Sequence, residues 1–260
     1  MQSASVLDTT GHNARIFFDP KLADVYAKSE RHLAEVTFLR RHREAYTGKR
    51  ILDLGVGSGR TTAFLLPTAT AYLGIDIAAP MLAAARAAFP SAAFELMDLR
   101  EIGRLGEGQF DFVNGSWAIL SAFTHAERLQ ILRDLHRLLS PNGVFYFSAH
   151  NRGWRCAGLP PLNRWSFRPR RILEGIDPRN WMNYLRLRHL RREEEDYAIF
   201  NDSGHHWQGL FYYIDRHAQA RQLAANGFSL IDCIGENGRV LTDGDDVSRD
   251  GLLHYVCRRV

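Results

Sequence analysis

Hydrophobic and polar positions along this chain fall into blocks that switch between two periods. Short apolar runs at 50–54, 71–76, 92–96, 110–115 and 143–149 each predict a buried strand. Between them, 59–66, 80–88 and 125–139 read as helices. Thr124-His125-Ala126-Glu127 has the form of a capping box and marks the start of the last of these. Alternation of this kind predicts an α/β fold with a doubly wound, mostly parallel sheet. Upstream, residues 1–14 are polar, and Leu33, Val36 and Leu39 share one helical face within a cover spanning 1–45. The alternation fails at Asn151. Pro160, Pro161 and Pro169 interrupt any long helix, 180–195 recovers one, and 197–200 and 210–214 read as two strands around a polar turn. Residues 151–214 are therefore expected to form a cap inserted after strand five. Helix 217–226, strands 228–233 and 252–259, and a hairpin-like connection at 235–250 complete a seven-stranded core of one domain, 46–150 and 215–260.

The chemistry sits where strands end. Ile51-Leu52-Asp53-Leu54 breaks into Gly55-Val56-Gly57-Ser58-Gly59-Arg60, the second strand ends in Asp76, and the third is followed by Asp98. Glycines let the backbone approach a bound group closely. A carboxylate at a strand end can take both hydroxyls of a ribose. The combination describes an adenosine-containing cofactor lying across the carboxyl ends of a parallel sheet. The loop departs from the dinucleotide pattern G-x-G-x-x-G, because Arg60 stands where the third glycine belongs, and it lacks the G-K-[S/T] ending of a phosphate loop.

The form D-x-G-x-G-x-G resembles the first motif of the class I S-adenosylmethionine-dependent methyltransferases. Asp76 in G-I-D-I-A-A-P-M-L, Phe94-Glu95-Leu96-Met97-Asp98-Leu99, Phe110-Asp111-Phe112-Val113-Asn114, Leu138-Leu139-Ser140-Pro141-Asn142-Gly143 and Leu223-Ala224-Ala225-Asn226-Gly227-Phe228 resemble that family's later motifs in order, over about residues 45–150 and 215–260. The resemblance implies S-adenosylmethionine as cofactor. Its implied cofactor-binding residues are Asp53, Gly55, Gly57, Gly59, Asp76, Ile77, Met81, Asp98, Leu99 and Asn114: the glycine-loop backbone would face the methionine end with Asp53 fixing its amides, Asp76 the ribose, and Asp98 or the Leu99 amide the adenine amine, with Tyr26 closing over the sulfonium.

Methyl transfer asks a protein mostly to align the acceptor and exclude water, and a hydroxyl acceptor also needs a general base. Ligands of such sheets lie outside the strands' carboxyl ends. That favours His150 and Asn151 after strand five and Ser116 and Trp117 after strand four, with His125 and, near Trp207, His205 and His206 as further candidate bases. Trp207 and Tyr213 belong to an aromatic-rich insert suited to packing an acceptor. No spacing of His and Cys suggests a metal, and Cys156, Cys233 and Cys257 form neither a disulfide framework nor a C-x-x-C pair.

Charge refines the acceptor. The net formal charge is +4, yet residues 152–192 hold eleven arginines against Glu174 and Asp177. Arg152 and Arg155, with Arg164 and Arg168, would favour a phosphate or carboxylate on the acceptor. The competing reading is a solvated face, since the chain has only three lysines and Glu193-Glu194-Glu195-Asp196 follows at once. No run of eighteen apolar residues and no signal-like N-terminus is present, so a cytoplasmic protein without a membrane span is expected. The leading expectation is methylation of an oxygen or nitrogen on a small molecule. An RNA or protein methyltransferase using the arginine-rich insert is the alternative, and a non-catalytic adenosine-binding module is a third. The acceptor's identity and the oligomeric state are not legible.

Overall fold

The computed structural model describes residues 8–18, 32–161 and 175–260. Its centre is a sheet in which β1 (Arg50–Leu54), β2 (Ala71–Asp76), β3 (Ala93–Leu96), β4 (Phe110–Gly115) and β5 (Leu139–Asn151) run parallel in the order β3-β2-β1-β4-β5. Helices α1 (Thr9–Phe17), α2 (Leu33–Arg41), α3 (Arg43–Tyr46), α4 (Thr62–Leu65), α5 (Ala79–Ala88) and α6 (His125–Leu138) precede or connect these strands. Beyond β5 lie β10 (Leu252–Arg259), antiparallel to it, and then β9 (Phe228–Gly235). These seven strands are the expected core.

Successive strand residues face opposite sides, so a sheet covered on both faces needs apolar residues at consecutive positions. Leu52, Val113, Phe145 and Phe147 pack with Ile131, Leu132, Leu135 and Leu138 of α6 on one face. Ile51, Phe112, Tyr146 and Val256 pack with Phe38 of α2 and Tyr46 of α3 on the other. There Phe38 stacks on Tyr146 with ring centroids 3.9 Å apart.

Three local expectations change. The segment 59–66 yields only the short α4, because Gly55, Gly57 and Gly59 all take left-handed φ (+58°, +56°, +92°) and hold the chain in turns. Past α7 (Pro178–Leu187), one 3-10 turn leads to the two-residue edge strand β6 (Arg192–Glu193), so the helix does not reach 195. The inserted strands β7 (Tyr197–Asn201) and β8 (Leu210–Ile214) are not separate from the core. They extend its sheet to ten strands, through His150 and Asn151 paired parallel with Tyr213 and Ile214. On its other side His150 pairs with Leu252 of β10. β8 therefore stands on β4's side of β5, beyond the last pairing of β4 at Gly115 with Phe147. β8 is buried along its whole length, and pairing with the overhang of β5 satisfies its backbone. The insert thus crosses the carboxyl end of β4. Helix α8 (Arg216–Ala225) returns the chain to β9. No helix among the described residues is long and apolar enough to cross a membrane.

Candidate active site

A cleft of about 290 Å³ opens at the carboxyl ends of β1, β2, β4 and β5. Its first wall is the loop after β1. At Gly57 an added Cβ would meet nothing within 4 Å, so open space lies directly over the backbone. The Gly57 amide donates to Asp76 Oδ2 at 2.8 Å, and the Ala78 amide to Oδ1 at 2.8 Å. Burial pushes the Asp76 carboxyl up, and those backbone amides oppose the rise. A carboxylate offers about four acceptor positions, so these two bonds leave room for a ribose diol. Ile77 and Met81 line the same wall. The other glycines act by packing: an added Cβ would meet the Ile119 side chain 2.7 Å from Gly55, and the Phe89 ring 2.7 Å from Gly59.

Asp53 supports this loop from below. It accepts from Thr61 Oγ1 at 2.6 Å, Tyr72 OH at 2.7 Å and Asn114 Nδ2 at 2.6 Å. Burial raises its pKa while these donors hold it down. Asn114 is thereby committed to Asp53 and does not line the cleft. Arg60, the residue that breaks the dinucleotide pattern, forms a buried bidentate pair with Glu35 of α2, both bonds 2.7 Å. Its guanidinium lies 5.3 Å from the centroid of the Trp117 ring. Asp98 is turned away, held by Arg100 at 2.6 Å, and Leu99 is buried in the core, so neither lines the cleft. Tyr26 lies outside the described residues.

The facing wall is the acceptor side. Trp117 lines it with Ile119 and Ala122 of the loop after β4, where Trp117 and Ala118 take left-handed φ (57° and 53°). His150, Phe211 and Leu252 line it from the sheet. The His150 ring stacks on Tyr213 at 4.8 Å and meets Phe211 edge-on at 5.4 Å. Its Nδ1 is buried with no hydrogen-bond partner among the described residues. Burial holds its pKa below the ordinary histidine value, against the opposing pull of Asp202.

Several expected site residues stand elsewhere. His125 bonds Tyr212 OH at 2.8 Å and stacks on Tyr197, away from the cleft. His206 bonds Asn180 at 3.0 Å, and it is His205 that reaches the cleft. Asn151 ties β5 to the carbonyls of Val247 and Asp250. Arg152 donates to the carbonyls of Glu194 and Glu195, and Arg155 is exposed. Trp207 is buried, with its Nε1 directed at the Leu159 carbonyl. Tyr213 lies behind His150 and donates to Asp202. Arg164 and Arg168 lie outside the described residues. Sequence reasoning missed Asp202, Phe211, Leu252 and the structural role of Arg60. The Asn201-Asp202-Ser203-Gly204 turn closing an apolar run was the available signal for Asp202. No cluster of three His, Cys, Asp or Glu suited to a metal occurs among the described residues.

Comparison with known proteins agrees with this geometry. Residues 51–143 match the family described as a methyltransferase domain. An uncharacterised methyltransferase of Synechocystis sp. is 33% identical over 115 residues, which cover 44% of this chain and 53% of that protein. The chain spans from 32% to 53% of the length of the curated relatives it matches. An S-adenosylmethionine-dependent methyltransferase from Mesorhizobium loti superposes with a TM-score of 0.61 at 21% identity, over 87% of this chain and 98% of that one. A 1,6-didemethyltoxoflavin-N1-methyltransferase from Burkholderia thailandensis does so with a TM-score of 0.64 at 16% identity, over 100% and 92%. Residues 51–143 thus match a methyltransferase domain, and the chain has the fold of the class I S-adenosylmethionine-dependent methyltransferases.

Proposed function

We propose that this protein transfers a methyl group from S-adenosylmethionine to an oxygen or nitrogen of a small molecule. The observation that carries the reading is the pairing, in one cleft, of the open backbone over Gly57 beside Asp76 with the His150 side chain on the facing wall. When bound, the cofactor supplies a methyl group on a positively charged sulfur. The residues fit it: the loop around Gly57 would take the methionine portion, Asp76 the ribose, and Ile77 and Met81 the apolar flank of the adenine. Trp117, Ile119, Ala122 and Phe211 supply apolar walls that exclude water from the acceptor side. His150, kept neutral by burial, is the group suited to take the acceptor's proton.

Two observations favour a small acceptor over RNA or protein. The acceptor side is a recess with Trp117, Ile119, Ala122 and Phe211 in its walls, and the described arginines that suggested a basic docking face, Arg152 and Arg155, do not line it. The Burkholderia structure, which holds bound 1,6-didemethyltoxoflavin and S-adenosylhomocysteine, is a fold-level analogue in the same sense. Among the described residues the cation lining the cleft is Arg60, committed to Glu35, so an acidic acceptor has no support from Arg152 or Arg155. The test is incubation of cell extract with the enzyme and methyl-labelled S-adenosylmethionine, followed by fractionation. Label in the low-molecular-weight fraction is expected, whereas label confined to RNA or protein would establish the macromolecular alternative.

A further inference from the structure

The insert presents a set of proton-handling groups to the cleft, and its supports are built around them. Cross-strand neighbours share a face, so His150, Tyr213 and Leu252 lie side by side, with Phe211 two residues from Tyr213 on the same face. The Tyr213 hydroxyl donates to Asp202, which follows β7 and lines the cleft. Three residues on, His205, His206 and Trp207 take consecutive left-handed φ of 50°, 58° and 60°, a costly conformation for residues with a Cβ. The turn is held from three sides. Asn183 Nδ2 donates to the His206 carbonyl at 3.0 Å, His12 Nε2 lies 2.7 Å from the Gln208 carbonyl, and Asn13 bonds both the amide and the carbonyl of Leu210. The result places the His205 ring in the cleft, 6.4 Å from the Phe211 ring that His150 also touches.

We propose that His150, His205 and Asp202 form one proton-accepting cluster, and that the acceptor is a neutral molecule methylated at an O–H or aromatic N–H. This rests on the methyltransferase reading above. The acceptor atom bonds to the methyl carbon as the carbon–sulfur bond breaks, the bonding pair leaves on sulfur, and the acceptor's proton passes to an imidazole. The Asp202 carboxylate stabilises the resulting imidazolium, which releases the proton to water. An aliphatic amine attacks with its own lone pair and loses its proton afterwards, so it would leave this apparatus idle. A carboxylate acceptor would meet Asp202 and two neutral imidazoles.

Asp202, Arg128 and His205 act electrostatically on His150, whose ring also stacks on Tyr213, and Asp202 and His206 act on His205. Burial lowers both imidazoles and Asp202 raises them. Asp202→Asn should therefore move both titrations to still lower pH.

The test uses the S-adenosylhomocysteine complex of the full chain. Histidine ring resonances, assigned through His150→Gln and His205→Gln, are titrated with and without Asp202→Asn, and calorimetry compares naphthol and indazole with benzylamine and benzoate. Both imidazoles should titrate lower in Asp202→Asn, and the neutral probes should bind more tightly by about tenfold or more. Unmoved titrations, or benzylamine or benzoate binding as well as the neutral probes, would overturn the proposal. Thermal melting and S-adenosylhomocysteine affinity confirm that each variant is folded. If the unaltered protein fails to bind S-adenosylhomocysteine, it is the methyltransferase reading that falls, and this proposal with it.

Discussion

Arg60 shows how one side chain can separate two cofactor families. In a dinucleotide loop its position must be glycine, whereas here it reaches back to Glu35 and joins α2 to the cofactor loop through a buried ion pair. Burial pushes the Glu35 carboxyl up, but the Arg60 hydrogen bonds and charge and the His32 amide outweigh it, and the folded pKa lies below the ordinary value. A depressed carboxylate contributes stability that is fully present above its unfolded pKa and is lost as pH falls through the folded one. Glu35→Gln should leave Arg60 buried without its counter-charge, cost roughly 3 kcal/mol in unfolding experiments at neutral pH, and narrow that gap in acid. A variant as stable as the parent at neutral pH would show that the pair does not anchor the loop. The glycine loop and Asp76 were legible because backbone freedom and strand-end acids leave marks in one short stretch. Asp53 was legible as a support of the loop and Asn114 only as a candidate cofactor contact, since the partnership between the two spans sixty-one positions and is made only by sheet pairing.

Among the elements, α1 is the least conspicuous in sequence and among the most consequential. Asn13 is fully buried and donates to Leu210 O at 2.6 Å and Ala122 O at 2.9 Å, while accepting from Leu210 N at 2.9 Å. It ties the start of β8 to the loop that carries Ile119 and Ala122. Asn13→Ala leaves those backbone groups unsatisfied and should destabilise by about 1–3 kcal/mol. It should also raise the acceptor KM more than the cofactor KM, which steady-state kinetics would resolve. Equal effects on the two constants would place α1 outside the acceptor wall. Nothing in local pattern announces such a residue, because an Asn in a polar leader reads as solvent-facing. β8 was legible as a strand but not in its placement: alternation identifies the element, whereas its partner depends on β5 running past the end of β4.

At the scale of the whole molecule, the seven-stranded core follows from period alone, and the insert is where sequence reasoning stopped. Its arginines suggested a charged mouth, yet among the described ones that precede β6, Arg152 satisfies carbonyls, Arg191 packs on Phe200 and donates to Tyr184, and Arg155, Arg179, Arg186 and Arg188 are exposed. What reaches the cleft is a carboxylate and a histidine on a strained turn. The central claim is that the loop at Gly57 and the acid at Asp76 hold S-adenosylmethionine rather than a nicotinamide dinucleotide. Calorimetric titration of the purified protein with S-adenosylhomocysteine and with NAD, repeated on Asp76→Ala, tests it directly. The account predicts saturable binding of S-adenosylhomocysteine, weakened in the variant by roughly 1.5–3 kcal/mol, and no comparable binding of NAD. NAD binding more tightly than S-adenosylhomocysteine, or an affinity indifferent to Asp76, would contradict it.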